Sequence, residues 1–461
     1  MAQSLLFTVK RRAFELVTPS KPTPREIKLL SDLDDHDTLR FHIAGIQFYK
    51  YDPNMEGKDP VDVIRKALAK TLVFYYPFAG RLREGVGRKL MVDCTGEGVL
   101  FIEADADVTL KDFGDNLLPP FPCLDELLYD VPGSSDLLNT PLLLIQVTRL
   151  KCGGFILALR MNHTMSDAYG IVQFLNALAE ISRGMNEPSI SPVWCRELLN
   201  ARDPPRVTCI HPEIEQEPGN NEAIIISLLD NMVQRTFFFG PTEVAKIHSL
   251  LPTNMVHKYT KFEIITAFVW RCRTIALHPD SDEEVRMISV VNARSTSFNL
   301  QLPNGYYGNV IVYAVAVTSA RKLIENPLEY ALDLIQKSKA NVTKEYIHSL
   351  ADLMVIKGRP SFSLKGLFAV SNVTHAGIKD VDFGWGKAVY GGPANDSSFP
   401  GIVSYYLPFK NCKGEKGLVL PLRLPAHAME RFVQELDRVL KNNINNPIKG
   451  DPTSPIIQSL L

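Results

Sequence analysis

The chain has 461 residues, 45% of them hydrophobic and 22% charged, with 50 Lys and Arg set against 51 Asp and Glu. That length exceeds what one core ordinarily supports, so two domains are expected, and the balanced charge argues against nucleic acid as a main partner. The seven cysteines are scattered, odd in number and without a Cys-x-x-Cys pair, which points to free thiols in a reducing compartment.

In chain order, residues 7–17 alternate unevenly and predict a strand, which Pro19, Pro22 and Pro24 end. Residues 1–9 carry no long apolar core and run into Lys10-Arg11-Arg12, so no signal peptide is expected. Ser31-Asp32-Leu33-Asp34-Asp35 reads as a turn, and residues 41–51 as a strand. Asp59-Pro60 opens a helix, with a short acidic N-cap and a proline in the first turn. Its apolar stripe is Val61, Ile64, Leu68 and Leu72, and it ends at Tyr75-Tyr76-Pro77. Residues 90–93 and 99–102 predict a hairpin across Cys94-Thr95-Gly96-Glu97-Gly98. Residues 142–147 and 154–159 are further strands. The second runs into Met161-Asn162-His163-Thr164-Met165-Ser166-Asp167-Ala168-Tyr169-Gly170 and on into a helix over 171–178.

Beyond Gly184, Pro188, Pro192, Pro204, Pro205, Pro212 and Pro218 fall among polar residues, as in a crossover between domains over 188–222. Strands are predicted at 223–229, 236–239, 285–291, 401–408 and 417–422. Helices are predicted at 241–251 and 261–277, with a single surface helix over 327–347 and another over 426–440. The total is mixed α/β without an internal repeat. No apolar run reaches the eighteen or so residues of a membrane span. The Asn-x-Ser/Thr patterns at Asn162, Asn341, Asn372 and Asn395 are read as chance matches. Ser459-Leu460-Leu461 resembles a peroxisomal Ser-Lys-Leu address without its basic residue, so the cytosol is favoured and the peroxisome stays open.

His163 stands where a strand ends and a polar turn leads into a helix, a place that holds a side chain rigidly at a cleft. Its imidazole can take a proton from an alcohol and return one to a leaving group. A structural histidine beside an apolar strand is the commoner case. A metal site needs more than His163 and Asp167, and no His-rich or Cys-rich stretch lies near. Far downstream, Asp382-Phe383-Gly384-Trp385-Gly386 has two glycines flanking an aromatic residue and predicts a tight turn.

Together, His163-x-x-x-Asp167 and Asp382-Phe383-Gly384-Trp385-Gly386 resemble the two signatures of the plant BAHD acyl-CoA-dependent acyltransferases. Tyr76-Pro77-Phe78-Ala79-Gly80-Arg81-Leu82, Asn292-Ala293-Arg294 and Gly305-Tyr306-Tyr307-Gly308-Asn309 are similar to the same family. Val92-Asp93-Cys94-Thr95-Gly96-Glu97-Gly98 and Gly384 to Pro393 resemble its branch of benzyl alcohol benzoyltransferases, alcohol acyltransferases and alkaloid tigloyltransferases.

The resemblance implies an α/β monomer of two similar-sized, chloramphenicol-acetyltransferase-like domains, each a mixed sheet with helices, with a solvent channel between them. Residues 1–187 would carry His163, residues 188–222 would cross over, and residues 223–461 would carry the 382–386 motif. His163 would act as general base, Asp167 would pair with an arginine, for which Arg294 is the candidate, and Asp382, Phe383, Gly384, Trp385 and Gly386 would be structural. Lys258, Thr260, Lys261 and Arg271 are candidates for holding CoA, although a solvated helix face explains the same charges. Tyr169, Ser371 and Thr374 are candidates for the acceptor pocket.

No metal and no permanently bound cofactor are expected; acyl-CoA is the co-substrate and a small alcohol the partner, with neither nucleic acid nor membrane involved. The leading expectation is transfer of a benzoyl or short branched acyl group to an alcohol such as benzyl alcohol. A hydroxylated alkaloid or terpenoid acceptor is the alternative, and a non-catalytic acyltransferase-like protein the third. Two departures bear on the acceptor: Tyr169 replaces a small residue or proline of the branch, and Asn395 to Pro400 replaces a glycine-rich stretch. Ala168, where a peptide-synthetase condensation domain usually has Gly, and the absence of a Gly-x-Ser-x-Gly elbow disfavour those two enzyme classes.

Overall fold

The computed structural model describes residues 5–114, 117–214, 232–255, 257–394, 403–411 and 413–441. The first half contains β1 (Val9–Arg11), β2 (Glu15–Val17), β3 (Ile27–Leu29), β4 (His42–Tyr49), α1 (Pro60–Phe74), β5 (Arg81–Glu84), β6 (Leu90–Asp93), β7 (Val99–Ala106), α2 (Leu124–Leu127), β8 (Leu143–Leu150), β9 (Phe155–Asn162) and α3 (Ala168–Ser182). The second contains β10 (Met232–Phe239), α4 (Pro241–His248), α5 (Lys261–Leu277), β11 (Glu284–Asn292), β12 (Ile311–Ser319), α6 (Ala320–Glu325), α7 (Leu328–Asn341), α8 (Lys344–Ile356), β13 (Leu367–Asn372), β14 (Tyr390–Pro393), β15 (Val403–Lys410), β16 (Lys416–Pro425) and α9 (Ala426–Leu440).

Two mixed sheets face one another. The first has seven strands in the order β1-β7-β8-β9-β4-β14, with β2 also on β7, and the second has six in the order β10-β16-β15-β13-β11-β12. In the first, β7 and β8 are parallel; in the second, β13 runs parallel to both β11 and β15. Helices α1 and α3 cover the outer face of the first sheet, where Ile64, Leu68, Leu72, Phe174, Leu175 and Leu178 form one core. Helices α5, α7 and α9 cover the second sheet around Trp270, Phe268, Ile335 and Phe432. Between the sheets, Ile46, Phe48 and Ala158 pack against Tyr405, Leu407 and Val419.

Local signals account for the elements that fold as predicted. The Asp59 carboxylate accepts the Val61 N–H, Pro60 occupies the first turn, and Val61, Ile64, Leu68 and Leu72 are buried. Other predictions need correction. Residues 7–17 form two short strands, both on β7. Residues 90–93 and 99–102 are not a hairpin: β6 pairs with β5 and β3 in a separate three-stranded sheet, whereas β7 joins the large one. Gly98, at φ +98°, redirects the chain, and a Cβ there would collide with the Val17 carbonyl. The predicted helix over 327–347 is two helices, because Thr343 takes an extended conformation and caps α8 through the Tyr346 N–H. Strands β3, β5, β12, β13 and β14 have no counterpart among the predicted strands. The strand predicted at 223–229 and the 395–398 loop lie outside the described residues, as do residues 401 and 402.

The Asp382–Gly386 motif also needs a different place from the one assigned by chain order. Asp382 Oδ1 accepts the N–H groups of Gly384 and Gly386 at 2.7 and 2.9 Å, and both glycines have positive φ, +112° and +79°. Phe383 and Trp385 enter the core of the first half, edge-on to Tyr49 and Phe155 at 5.6 and 5.3 Å. Directly after, β14 extends the first sheet beside β4. A segment of the second half therefore completes the first. Residues 193–214 likewise pack as a strap: Val193 bridges Tyr306, Ile214 bridges Phe362, and Arg202 pairs with Asp352.

Candidate active site

His163 follows β9 directly and opens a short 3-10 turn, His163–Met165, which Asn162 caps by accepting the Thr164 N–H at 3.1 Å. The His163 N–H donates to Phe41 O at 2.9 Å, and its ring packs on Phe41 at 5.3 Å between centroids. With 9% exposure, His163 lines a cavity of about 170 Å³ between the two sheets. Around it stand Ile43, Leu159, Ile288, Ala369 and Val403, a wall that is almost entirely apolar. Burial holds the imidazole below its ordinary pKa, and its own backbone carbonyl, Asp167, Asn309 and Asp34 work in the opposite direction. Burial thus favours the uncharged ring, the form that accepts a proton.

Asp167 borders the same cavity, and its carboxylate accepts four hydrogen bonds. Oδ1 accepts the Tyr169 and Gly170 N–H groups, each at 3.1 Å, and so caps α3. Oδ2 accepts Arg294 Nη1 at 2.6 Å and the Val310 N–H at 2.9 Å. Arg294 Nη2 continues to Gly308 O at 2.5 Å, and Ser166 Oγ donates to Tyr307 O at 2.7 Å. The turn bearing the histidine is thus tied to residues 307–310 of the second half.

Of the other sequence-predicted residues, Ser371 lines the cavity, while Tyr169 and Thr374 do not. The Tyr169 ring lies 5.6 Å from the Arg294 guanidinium, and Thr374 Oγ1 donates to Asn372 Oδ1 at 2.6 Å. None of Lys258, Thr260, Lys261 and Arg271 reaches the cavity. Lys258 pairs with Asp333 at 3.0 Å, Thr260 forms a capping box with Glu263, and Arg271 donates to Ile324 O at 2.7 Å; Lys261 is exposed. The sequence reading missed Phe41, Thr38, Tyr313 and Tyr405 on the cavity wall, and it gave no site role to Asn309 of the family-like 305–309 stretch, whose amide donates to His163 O at 2.9 Å. The four wall residues come from distant parts of the chain, and no local pattern marks them. Among the described residues, no three His, Cys, Asp or Glu side chains gather as metal ligands would, and no helix is long and apolar enough to cross a membrane.

A family model described as the Transferase family matches residues 7–439. Benzyl alcohol O-benzoyltransferase of Petunia hybrida is 62% identical over 444 residues, covering 96% of each chain. 13-Hydroxylupanine O-tigloyltransferase of Lupinus albus is 55% identical over 451 residues, covering 97% of this chain and 98% of its own. The crystal structure of vinorine synthase superposes with a TM-score of 0.70 at 21% identity, covering 94% of this chain and 98% of its own, which shows a shared fold. With matches across nearly its full length, the chain belongs to the Transferase family of BAHD acyltransferases.

Proposed function

We propose that the protein transfers an acyl group, benzoyl or a short branched acyl, from acyl-CoA to the hydroxyl of a small alcohol such as benzyl alcohol. The observation that carries this reading is the placement of the buried His163 on the wall of an apolar cavity of about 170 Å³. A cavity of roughly 150 Å³ lined by aliphatic and aromatic side chains suffices for benzene, so this one suits an aryl or branched-alkyl group.

His163 takes the hydroxyl proton as the oxygen attacks the thioester carbonyl. A C–O bond forms, the tetrahedral adduct collapses, the C–S bond breaks, and His163 returns the proton to the CoA thiolate. Apolar walls exclude water, which would otherwise compete as acceptor. Ser371 is proposed as a polar contact for the acceptor. Lys258, which also pairs with Asp333, and Lys261, both exposed near the start of α5, are proposed for the phosphates of CoA, whereas Thr260 caps α5 and Arg271 donates to Ile324 O of α6. A hydroxylated alkaloid acceptor is the second reading, favoured by the similarity to the lupin tigloyltransferase.

Release of free CoA thiol from a panel of acyl-CoAs, with benzyl alcohol or hydroxylated alkaloids as acceptor, tests both readings. Turnover of benzoyl-CoA with benzyl alcohol supports the first, and His163→Ala should then lower kcat by about 10²–10⁴-fold. Turnover with alkaloids alone would replace it by the second. An active His163→Ala would overturn the assigned base.

A further inference from the structure

Beneath the turn that carries His163 lies a buried ion pair for which acyl transfer itself has no use. Arg196, in the strap between the halves, is 1% exposed, and Asp34, in the turn before β4, is fully buried. Arg196 Nη1 donates to Asp34 Oδ1 at 2.6 Å, and Nη2 donates to Met165 O at 2.8 Å. The rings of Trp194, Tyr306 and Tyr307 surround the guanidinium at 4.5, 5.5 and 5.1 Å. It is seated against bare backbone at Gly308, where a Cβ would collide with Nη1.

The same Asp34 oxygen accepts the backbone N–H and the side-chain Nδ2 of Asn309, at 2.8 and 3.0 Å. Asn309 Nδ2 also donates to His163 O at 2.9 Å and, at 3.2 Å, to Thr164 O. The second Asp34 oxygen accepts the Ser31 N–H and hydroxyl, at 3.0 and 2.6 Å. One carboxylate thus orders donors to the consecutive carbonyls of residues 163, 164 and 165.

Burying an ion pair carries a desolvation cost that apolar packing of similar volume avoids, so stability alone is a weak reason for it. Here Arg196 and Asn309, both held by Asp34 Oδ1, converge on the backbone of the one turn that bears the histidine. We propose that Asp34, Arg196 and Asn309 are positioning residues that hold residues 163–165 so that the imidazole faces the cavity, and that through Arg196 the strap between the halves sets this geometry. The proposal rests on His163 being the base.

The test compares kcat, KM and thermal unfolding of the full chain for wild type, Asn309→Ser, Arg196→Lys, Arg359→Lys and His163→Ala, with the substrates that the panel identifies. Asn309→Ser leaves the ion pair in place, and Arg196→Lys keeps the charge but loses the fork. Both should lose kcat by at least about tenfold, and a displacement of 1 Å is enough for about 10²-fold. KM should stay within about twofold, because the cavity walls are untouched. Arg359 pairs with Asp35 and Asp32 at 2.6 and 3.0 Å and donates to Gly87 O, with no hydrogen bond to Asp34 or to residues 163–165, so Arg359→Lys should lower the unfolding temperature without that loss of kcat. A folded Asn309→Ser with wild-type kcat overturns the proposal, as does an equal loss of kcat in Arg359→Lys. If Arg196→Lys does not fold, Asn309→Ser decides. An active His163→Ala would remove the underlying assignment of the base, whereas an inactive one beside an active Asn309→Ser sinks the positioning role alone.

Discussion

Neutralising either member of the Asp167–Arg294 pair should destabilise the protein, and the two changes together should cost less than their sum. The carboxylate is 3% exposed and the guanidinium 20%, at a separation of 2.6 Å. Ion pairs in full solvent contribute about 0.2–1 kcal/mol, while hydrogen bonds to charged groups shielded from water contribute about 1.5–3 kcal/mol. With one partner buried and the other partly so, a coupling of about 2 kcal/mol is expected. Urea unfolding of wild type, Asp167→Asn, Arg294→Gln and the double variant closes the cycle. Asp167→Ala should fall further, since it also removes the cap that Oδ1 provides to Tyr169 and Gly170, worth about 1 kcal/mol. A coupling below about 0.5 kcal/mol, within the scatter of independent sites, would refute the view that this pair holds the turn.

Acid should weaken the fold through two buried histidines, since burial pushes His36 down to about 3 and His42 to about 4. Because both folded pKa values lie below the unfolded value near 6.5, the unfolded chain binds more protons in acid. Stability is complete above about pH 6.5 and is lost as pH falls, by about 2 kcal/mol per histidine at pH 5; equal urea midpoints at pH 8 and pH 5 would contradict this. Trp385→Ala should cost about 3–5 kcal/mol in the same unfolding assay, because the indole is 5% exposed within the first core, whereas a purely surface motif would lose almost nothing. Ala369→Leu places three more carbons in a cavity of about 170 Å³ and should shift preference from benzoyl to acetyl donors by about 1–3 kcal/mol in kcat/KM, read by competing the two donors.

Local chemistry written in consecutive residues was legible. Asp59-Pro60 and the stripe behind it specify α1, because capping and helical periodicity act within a few residues. The handover from β9 through His163 to α3 could be read in the same way, as could the tight turn at Asp382–Gly386, whose carboxylate bonds its own backbone. The break between α7 and α8 has a local cause in Thr343, yet apolar and charged residues alternate straight through it and mask the boundary.

Partnership across the chain was not legible. Residues 90–93 and 99–102 each make a good strand, but which strand pairs with which depends on segments that no local pattern connects. The aromatic residues of the 382–386 motif read as turn residues and became core residues of the opposite half. Asp34 and Arg196 lie in a polar turn and a proline-rich strap, 162 residues apart, and look like ordinary solvated charges. Only the folded chain removes water from both and makes each the other's partner. The sequence by itself determined α1, the handover from β9 through His163 to α3, the 382–386 turn and the family, because those depend on neighbouring residues and their order. The cavity, the lowered basicity of His163 and the network beneath it were decided by tertiary structure, because desolvation exists only once distant segments have closed over a site.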